Sequence, residues 1–181
     1  MYGPRIGAVY HAPDVPCLPP LFFGGGQERN RRSGTENTPM AVGLGEAARL
    51  ITILNSSASH DLQEKRDLLI KLLFDKCPPN SVKVNFVDKI RLPNTASLCF
   101  SQIDAGILLE KCDGQIEASR SAACHTGSGA AASSVRIKSG LSIEDAASTL
   151  RLSIGRYTTF QDIENAAIIL SDAYIKCPKK L

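Results

Sequence analysis

The sequence predicts an α/β protein, and three patterns carry this prediction. Apolar residues recur at helical spacing over residues 40–55 and again over 61–76, which indicates two amphipathic helices. Residues 82–87 (VKVNFV) alternate apolar and polar side chains, and Thr95–Phe100 (TASLCF) follows a Pro-Asn turn signal, so both segments are expected to be strands. A last amphipathic helix is predicted over residues 159–175, which makes the second half of the chain a compact α+β unit.

The first forty residues predict one strand and two loops. Residues 6–10 follow a tight turn and are expected to be the strand, whereas the prolines of residues 11–20 indicate a loop. The second loop ends at Thr38-Pro39, which opens the first helix with Pro39 suited to its first position.

The later elements are predicted to be short. Residues 120–140 contain few large apolar side chains and are rich in Ser, Ala and Gly, which predicts a mobile loop. The remaining elements are expected to be helices over residues 105–112 and 143–149, and strands over 116–119 and 150–154.

The pattern divides the chain into three parts. Residues 1–38 form the first part, residues 39–58 a linking helix, and residues 59–181 a small α+β domain.

Composition narrows the class of protein. The net charge of +3 is mild, which argues against nucleic acid as the main partner. No apolar run approaches the length of about 18 residues that indicates a membrane-spanning helix, so no membrane partner is expected. Six cysteines are scattered without CxxC pairs, which predicts reduced thiols, no metal site and a cytosolic protein.

The most distinctive segment is a glycine- and arginine-rich loop over residues 23–37 (FGGGQERNRRSGTEN). Three consecutive glycines let the backbone approach a ligand closely, and three arginines supply bidentate donors for a carboxylate or a phosphate. Thr35 adds a hydroxyl just before a helix N-terminus, where anions are stabilised. The pattern predicts an anion-binding loop, and the alternative is a flexible basic surface loop.

A second candidate site lies at residues 121–129 (SAACHTGSG), where Cys124 is flanked by small residues and followed by His125. The thiolate is the nucleophilic form of cysteine, and a neighbouring imidazole or arginine lowers the pKa of a thiol. The alternative is an incidental loop cysteine beside a solvent-facing histidine.

The third candidate is Arg151, in the segment LRLSIGRYTT at residues 150–159. An arginine between two leucines on an apolar strand needs an anionic partner or a wet cleft. The partner is either the carboxylate of a ligand or a structural carboxylate of the protein.

Together these motifs resemble those of the class V, fold-type I pyridoxal-phosphate (PLP) enzymes, and more narrowly those of cysteine desulfurases and selenocysteine lyases. The glycine-rich loop resembles the family's GGGQERxxRxGTEN, the Cys124 segment its substrate-thiol loop GxACxSG, and the Arg151 segment its (L/I)RxSxGRxTT motif. The first residues, MYGPRIG, resemble the strip that follows the PLP-binding lysine. Arg31 departs from the pattern, because the family usually has an apolar residue there.

The resemblance implies a role for each candidate residue. Cys124 is the catalytic cysteine that meets the departing sulfur or selenium, and Arg151 holds the α-carboxylate of the amino-acid substrate. Thr35 reaches the phosphate of the PLP in the partner subunit, so the resemblance also implies pyridoxal 5'-phosphate as cofactor and a homodimer. The substrate is then L-selenocysteine or L-cysteine, and a further protein can serve as acceptor of the released atom.

The implied fold is the C-terminal part of a fold-type I enzyme, with the end of its large domain and an α+β small domain. The implied activity is that of a selenocysteine lyase, which removes selenium from L-selenocysteine to give L-alanine. A cysteine desulfurase that supplies sulfur for iron–sulfur clusters and a non-catalytic dimerising module are the alternatives. Because the chain starts just past the position of the Schiff-base lysine, we expect this polypeptide alone not to turn over substrate.

Overall fold

The computed structural model describes residues 5–120 and 133–179, without the side chains of residues 54–58. The chain divides into two compact units, Met1–Ser56 and Ser57–Leu181. The three-part division with boundaries after residues 38 and 58 stays a prediction.

The described residues form six helices and three strands. The helices are α1 (Gln27–Asn30), α2 (Thr38–Lys76), α3 (Ala105–Lys111), α4 (Ser134–Lys138), α5 (Ile143–Ala147) and α6 (Phe160–Lys176), and the strands are β1 (Val82–Val84), β2 (Thr95–Phe100) and β3 (Thr149–Ser153). The strands pair antiparallel in the order β1-β2-β3. Mixed helices and strands confirm the predicted α/β class.

In the first unit, residues 6–10 form no strand, so the strand predicted there is wrong. A strand exists only where its backbone groups pair with a neighbour, and no backbone hydrogen bond joins these residues to another described residue. Val9 and Tyr10 are instead 85% and 88% exposed.

The helix α2 begins at Thr38 because Asn37 caps it. The Asn37 Oδ1 accepts a hydrogen bond from the Met40 amide at 3.4 Å, which satisfies one of the free N–H groups of the first turn. The sequence predicted Pro39 as the first helical residue, but the helix begins one residue earlier and Pro39 is the second.

The two helices predicted over residues 40–55 and 61–76 are one continuous helix, α2. The intervening residues 55–60 (NSSASH) are weak helix formers except for Ala58, but they include neither proline nor glycine, so they lower helix propensity without breaking the helix. The Lys65 Nζ lies 2.7 Å from the Asp61 Oδ2, an i,i+4 ion pair that supports the next turn.

The sheet of the second unit has one apolar face. Leu98 and Phe100 of β2, and Leu150 of β3, are fully buried on it, because alternate residues of a strand point to the same face. The Phe100 ring lies 6.2 Å from the ring of Tyr174 on α6. Residues of α2, α3 and α6 complete this core, including Leu69, Leu73, Leu108, Ile163, Ala167 and Leu170.

The opposite face of the sheet is polar. In the register of β2 and β3, Ser97 lies opposite Arg151 and Cys99 opposite Thr149. The Asn85 Nδ2 donates to the Ser97 Oγ at 3.2 Å and to the Thr149 Oγ1 at 3.1 Å. The polar face is therefore held together by side-chain hydrogen bonds, and it carries Arg151.

Three further predictions need correction. β1 ends at Val84 rather than at residue 87, because residues 85–88 form a turn in which Phe86 has a φ of 56°. The strand predicted over residues 116–119 is a single bridge between Ser119 and Arg151. The loop predicted over residues 120–140 contains the helix α4, and residues 121–132 of that loop lie outside the described residues.

The final helix begins with a capping box. The Thr159 Oγ1 accepts a hydrogen bond from the Asp162 amide at 3.1 Å, and the Asp162 Oδ2 accepts one from the Thr159 amide at 2.8 Å. The predictions of α3, α5, β3 and α6 are confirmed within one or two residues at each end.

Truncation of Leu98 to alanine is expected to lower the free energy of unfolding by about 2–5 kcal/mol, because it leaves a cavity in a fully buried site. Urea denaturation followed by circular dichroism measures the change. The matched control is Leu92→Ala, because Leu92 is 68% exposed and the same truncation there opens no cavity. Equal effects of the two substitutions would contradict the placement of the core.

Candidate active site

The element α1, within the glycine-rich loop of the first unit, is a tight left-handed turn rather than a regular right-handed helix. Glu28, Arg29 and Asn30 have φ values of 49°, 58° and 61°, a conformation that costs residues other than glycine on the order of 1 kcal/mol each. The Asn30 amide donates to the Gly26 carbonyl at 3.2 Å and closes the turn. Backbone strain of this kind clusters at ligand sites, which is consistent with the ligand role predicted for the loop.

Two of the three loop arginines have partners within the first unit. The Arg31 Nη2 donates to the Cys17 Sγ at 2.8 Å, and the Arg32 guanidinium lies 4.8 Å from the centre of the Phe22 ring. These contacts fix the loop against the segment that precedes it. They also occupy two of the groups that the sequence offered as anion donors.

Thr35 is exposed, and its hydroxyl has no hydrogen-bond partner among the described residues. It follows Gly34, whose φ of +95° is a conformation that side chains rarely adopt. Asn37, two residues later, caps α2. The hydroxyl of Thr35 is thus a free donor near the N-terminal end of a helix, where an anion is favoured.

In the second unit, β3 places Arg151 on the polar face of the sheet. The Arg151 amide donates to the Ser119 carbonyl at 2.7 Å, and the Ser119 amide donates to the Arg151 carbonyl at 3.2 Å. The side chain of Arg151 is exposed and forms no ion pair with any carboxylate in residues 5–120 or 133–179. The structural salt bridge that the sequence left open is therefore not found in the described part.

A second guanidinium, that of Arg136, lies near Arg151 and was missed by the sequence analysis. Its Nη1 donates to the carbonyls of Arg120, Thr149 and Ala146 at 2.6, 2.7 and 3.3 Å. Burial above all, and then the positive charge of Arg151, lower the pKa of Arg136. Arg136 lies within residues 120–140, whose Ser-, Ala- and Gly-rich composition predicts a loop, so the local sequence does not indicate its half-buried role.

Cys124 and its neighbour His125 lie outside the described residues. The five described cysteines are free, and Cys17 is the exposed one among them. Cys99 is 1% exposed and lies opposite Thr149 on the polar face of the sheet. The others, Cys77, Cys112 and Cys177, are buried as well, and burial raises the pKa of each thiol.

Burial is also the main reason that the pKa of the Cys99 thiol rises to about 11. The second cause is the Asp145 carboxylate, whose Oδ1 lies 3.5 Å from the Cys99 Sγ. Cys99 is therefore protonated at neutral pH and is a poor nucleophile.

The raised pKa of Cys99 makes folding stability depend on pH in alkaline solution. Its thiol titrates near pH 9 when unfolded and near 11 when folded, so the folded chain holds the proton more tightly. This stabilisation is complete below pH 9 and is lost as the pH rises to 11, by on the order of 2 kcal/mol. Chemical denaturation at both pH values, with Cys99→Ala as control, measures it; equal losses in the two proteins would contradict the assignment.

Within the described ranges, no helix has the length and apolar character needed to cross a membrane.

Comparison with known proteins relates these features to one family. The family model described as Aminotransferase class-V matches residues 1–166. The chain is 38% identical to the human selenocysteine lyase over 184 residues, which cover 94% of this chain and 41% of that protein. It is 35% identical to a cysteine desulfurase of Frankia, over 97% of this chain and 42% of that protein.

Two solved structures have a similar fold. A NifS-like protein matches 90% of this chain with a TM-score of 0.75 and 27% identity, and the NifS-like protein from Rickettsia africae matches 86% with a TM-score of 0.71 and 31% identity. The chain spans about two fifths of the length of these structures and of the curated relatives. These matches confirm the predicted fold as part of a larger α/β enzyme fold.

The described residues fit the share of a PLP site that the resemblance assigned to this chain. A phosphate needs hydrogen-bond donors that are not already used. The exposed Thr35 hydroxyl has no partner in the described part of the chain, and the positive φ of Gly34 opens the backbone beside it.

Proposed function

Because the chain belongs to the class-V aminotransferase family, we propose that it is part of a PLP-dependent lyase that converts L-selenocysteine to L-alanine and releases selenium. The observation that carries this proposal is Arg151, an exposed guanidinium without a carboxylate partner in the described ranges. The term "full-length enzyme" is used below for a polypeptide that includes this chain and has the length of its curated relatives.

Arg151 binds the α-carboxylate of the amino acid in this proposal. A guanidinium and a carboxylate form two parallel charge-assisted hydrogen bonds, which fix orientation as well as position. The backbone pairing of Arg151 with Ser119 on one side and its register opposite Ser97 on the other hold the strand beneath the guanidinium. The substrate is thereby oriented so that the bond from Cβ to selenium is presented in a fixed direction.

Cys124 acts at the departing atom, as proton donor or as acceptor. Among the five cysteines of the described part, four are buried and only Cys17 is exposed, so few other thiols could take this role. A selenol ionises well below neutral pH whereas a thiol does not, so the protonation state of the leaving atom can separate selenocysteine from cysteine.

Thr35 donates to the phosphate of PLP in the partner subunit, which makes the protein a homodimer in this proposal. The cofactor, when bound, supplies an electron sink for the bonds at the substrate Cα. This chain supplies a hydrogen-bond donor to the phosphate, a guanidinium that binds the substrate carboxylate, and a thiol. The free described thiols support a reducing compartment, and we place the protein in the cytosol.

A cysteine desulfurase is the second candidate, because the chain is 35% identical to the cysteine desulfurase of Frankia over almost its whole length. Such an enzyme would act on L-cysteine and pass the sulfur to an acceptor protein for iron–sulfur clusters.

Alanine release from L-selenocysteine and from L-cysteine by the full-length enzyme separates the two candidates. We expect a kcat/KM for selenocysteine at least ~100-fold above that for cysteine, a discrimination of the size that binding groups matched to one substrate provide. Comparable values, or a preference for cysteine, would favour the desulfurase. Release of alanine from neither substrate would overturn the proposed function.

Mixed dimers test the shared site. A Thr35→Ala subunit should bind PLP ~10–100-fold more weakly at the partner's site, since one hydrogen bond to a charged group is lost. A Cys124→Ala subunit should be inactive at its own site. If Thr35 serves the partner, a dimer of one subunit of each kind contains one intact site, and mixing the two variants restores activity; no recovery would contradict the arrangement.

A further inference from the structure

Arg136 lies on α4, a helix of only five residues. The helix α4, Ser134–Lys138, buries none of its residues, and Val135 is 61% exposed. Apolar packing therefore does little to hold this helix in place. The half-buried side chain of Arg136 holds the helix in place through its hydrogen bonds to three carbonyl groups.

The three carbonyls belong to different segments. The Arg120 carbonyl, 2.6 Å from the Arg136 Nη1, is next to Ser119. The Thr149 carbonyl, 2.7 Å from the same nitrogen, lies two residues before Arg151 on β3. The third, that of Ala146, is in α5.

These contacts continue the pairing around Arg151. Ser119 and Arg151 exchange both backbone hydrogen bonds, and within residues 5–120 and 133–179 their bridge is isolated. In an antiparallel ladder the next such pair would use the carbonyl of Thr149, two residues away. The guanidinium of Arg136 donates to this carbonyl and to that of Arg120, so a side chain links the two segments beyond the bridge.

The positive charge of Arg136 also favours binding of an anion beside Arg151. A guanidinium keeps its proton in proteins, so Arg136 adds a second positive charge close enough to Arg151 to lower the pKa of Arg136. Two like charges without a carboxylate partner in the described ranges favour an anion beside them.

We propose that Arg136 is a positioning residue for Arg151: it ties the carbonyls of Thr149 and Arg120 together and so fixes the direction in which Arg151 meets the substrate carboxylate. This inference rests on the proposed function of Arg151. Arg136 itself need not touch the substrate.

Hydrogen–deuterium exchange and kinetics of the full-length enzyme test the proposal together. The variant is Arg136→Leu, which removes the donors and keeps an apolar stem. The matched control is Lys138→Leu, which removes an exposed positive charge from the same helix. Arg136→Lys serves as the rescue variant, because it restores the charge and N–H donors.

We expect Arg136→Leu to speed amide exchange in peptides that contain Ser119 and Arg151 by at least ~10-fold, while peptides of α6 exchange at the parent rate. The KM for L-selenocysteine should rise ~10-fold with kcat changed less than ~3-fold, because binding is lost rather than chemistry. Its α-carboxamide, which lacks the carboxylate, should be turned over as by the parent enzyme. Arg136→Lys should recover part of both effects, and Lys138→Leu should show neither.

Two results would overturn the proposal. One is unchanged exchange at Ser119 and Arg151 in Arg136→Leu; the other is an unchanged preference for the free acid over the carboxamide. If α6 also loses protection, Arg136→Gln is measured in the same way and judged by the same two results. If the parent enzyme does not prefer the free acid, the proposed role of Arg151 is wrong, and the role of Arg136 is wrong with it. If the parent enzyme prefers the free acid but Arg136→Leu changes neither exchange nor this preference, only the role of Arg136 is wrong.

Discussion

Replacing Arg151 with alanine is expected to lower the kcat/KM of the full-length enzyme for L-selenocysteine by ~100-fold or more. In the proposed role of Arg151, the substitution removes a charge-assisted, bidentate contact to the substrate carboxylate, and loss of such a contact costs about 3 kcal/mol. The loss should appear mainly in KM, because the carboxylate is bound equally in the ground state and in the transition state. Steady-state kinetics with alanine as the measured product give both constants.

The Arg151→Ala substitution should not change the stability of the fold. Arg151 is exposed, and its side chain has no ion pair in the described ranges, so the free energy of unfolding is expected to stay within about 0.5 kcal/mol. The matched control is Arg156→Ala in the same motif, since the Arg156 guanidinium lies 5.3 Å from the ring of its neighbour Tyr157. Equal kinetic losses in the two variants would show that Arg151 has no special role.

Replacing Cys124 with alanine is expected to lower kcat by ~10²–10⁴-fold, the range over which a positioned proton donor or nucleophile contributes to a rate. The KM for L-selenocysteine should change little, because Arg151 and the cofactor still hold the amino acid. Single-turnover and steady-state measurements of alanine release separate the two effects.

Cys17 provides the control for Cys124. It is exposed, and its sulfur accepts a hydrogen bond from Arg31, so Cys17→Ala removes an exposed thiol to which the proposal gives no role. We expect Cys17→Ala to keep kcat within a factor of ~3 of the parent value. Activity retained by Cys124→Ala and lost in Cys17→Ala would move the reacting thiol to the first unit.

The sequence predicted best those elements whose local signals agree with their packing. β2 has the predicted bounds because its alternating residues fill one buried and one polar face. The helix α6 begins where Thr159 and Asp162 form a capping box, a signal contained in four residues. In both elements a regular spacing of apolar residues follows a turn or capping signal, and the two signals together make the element predictable.

Two errors, at residues 6–10 and at residues 55–60, have different causes. Residues 6–10 have the composition of a strand but no pairing neighbour in the described part. The segment at residues 55–60 looked like a break, yet without proline or glycine the helix continues through it. The first outcome depends on a pairing partner that local propensity cannot reveal, whereas the second follows from the absence of proline and glycine, which the sequence does show.

The candidate site was predicted in part. The alternation of β3 placed Arg151 between two buried leucines and hence on the other face of the sheet, which the sequence could indicate. Arg136 could not be found in this way, because its three carbonyl partners are 10, 13 and 16 residues away. The roles of Cys124, Arg151 and Thr35 remain proposals that rest on motif resemblance together with the exposure of the two described residues.

The most direct test of the central claim compares L-selenocysteine with its α-carboxamide as substrates of the full-length enzyme and of its Arg151→Ala variant. If Arg151 grips the carboxylate, the parent enzyme prefers the free acid by ~100-fold in kcat/KM, and the variant loses this preference. A variant that still prefers the free acid to the same degree would contradict the account, because some other group would then hold the carboxylate.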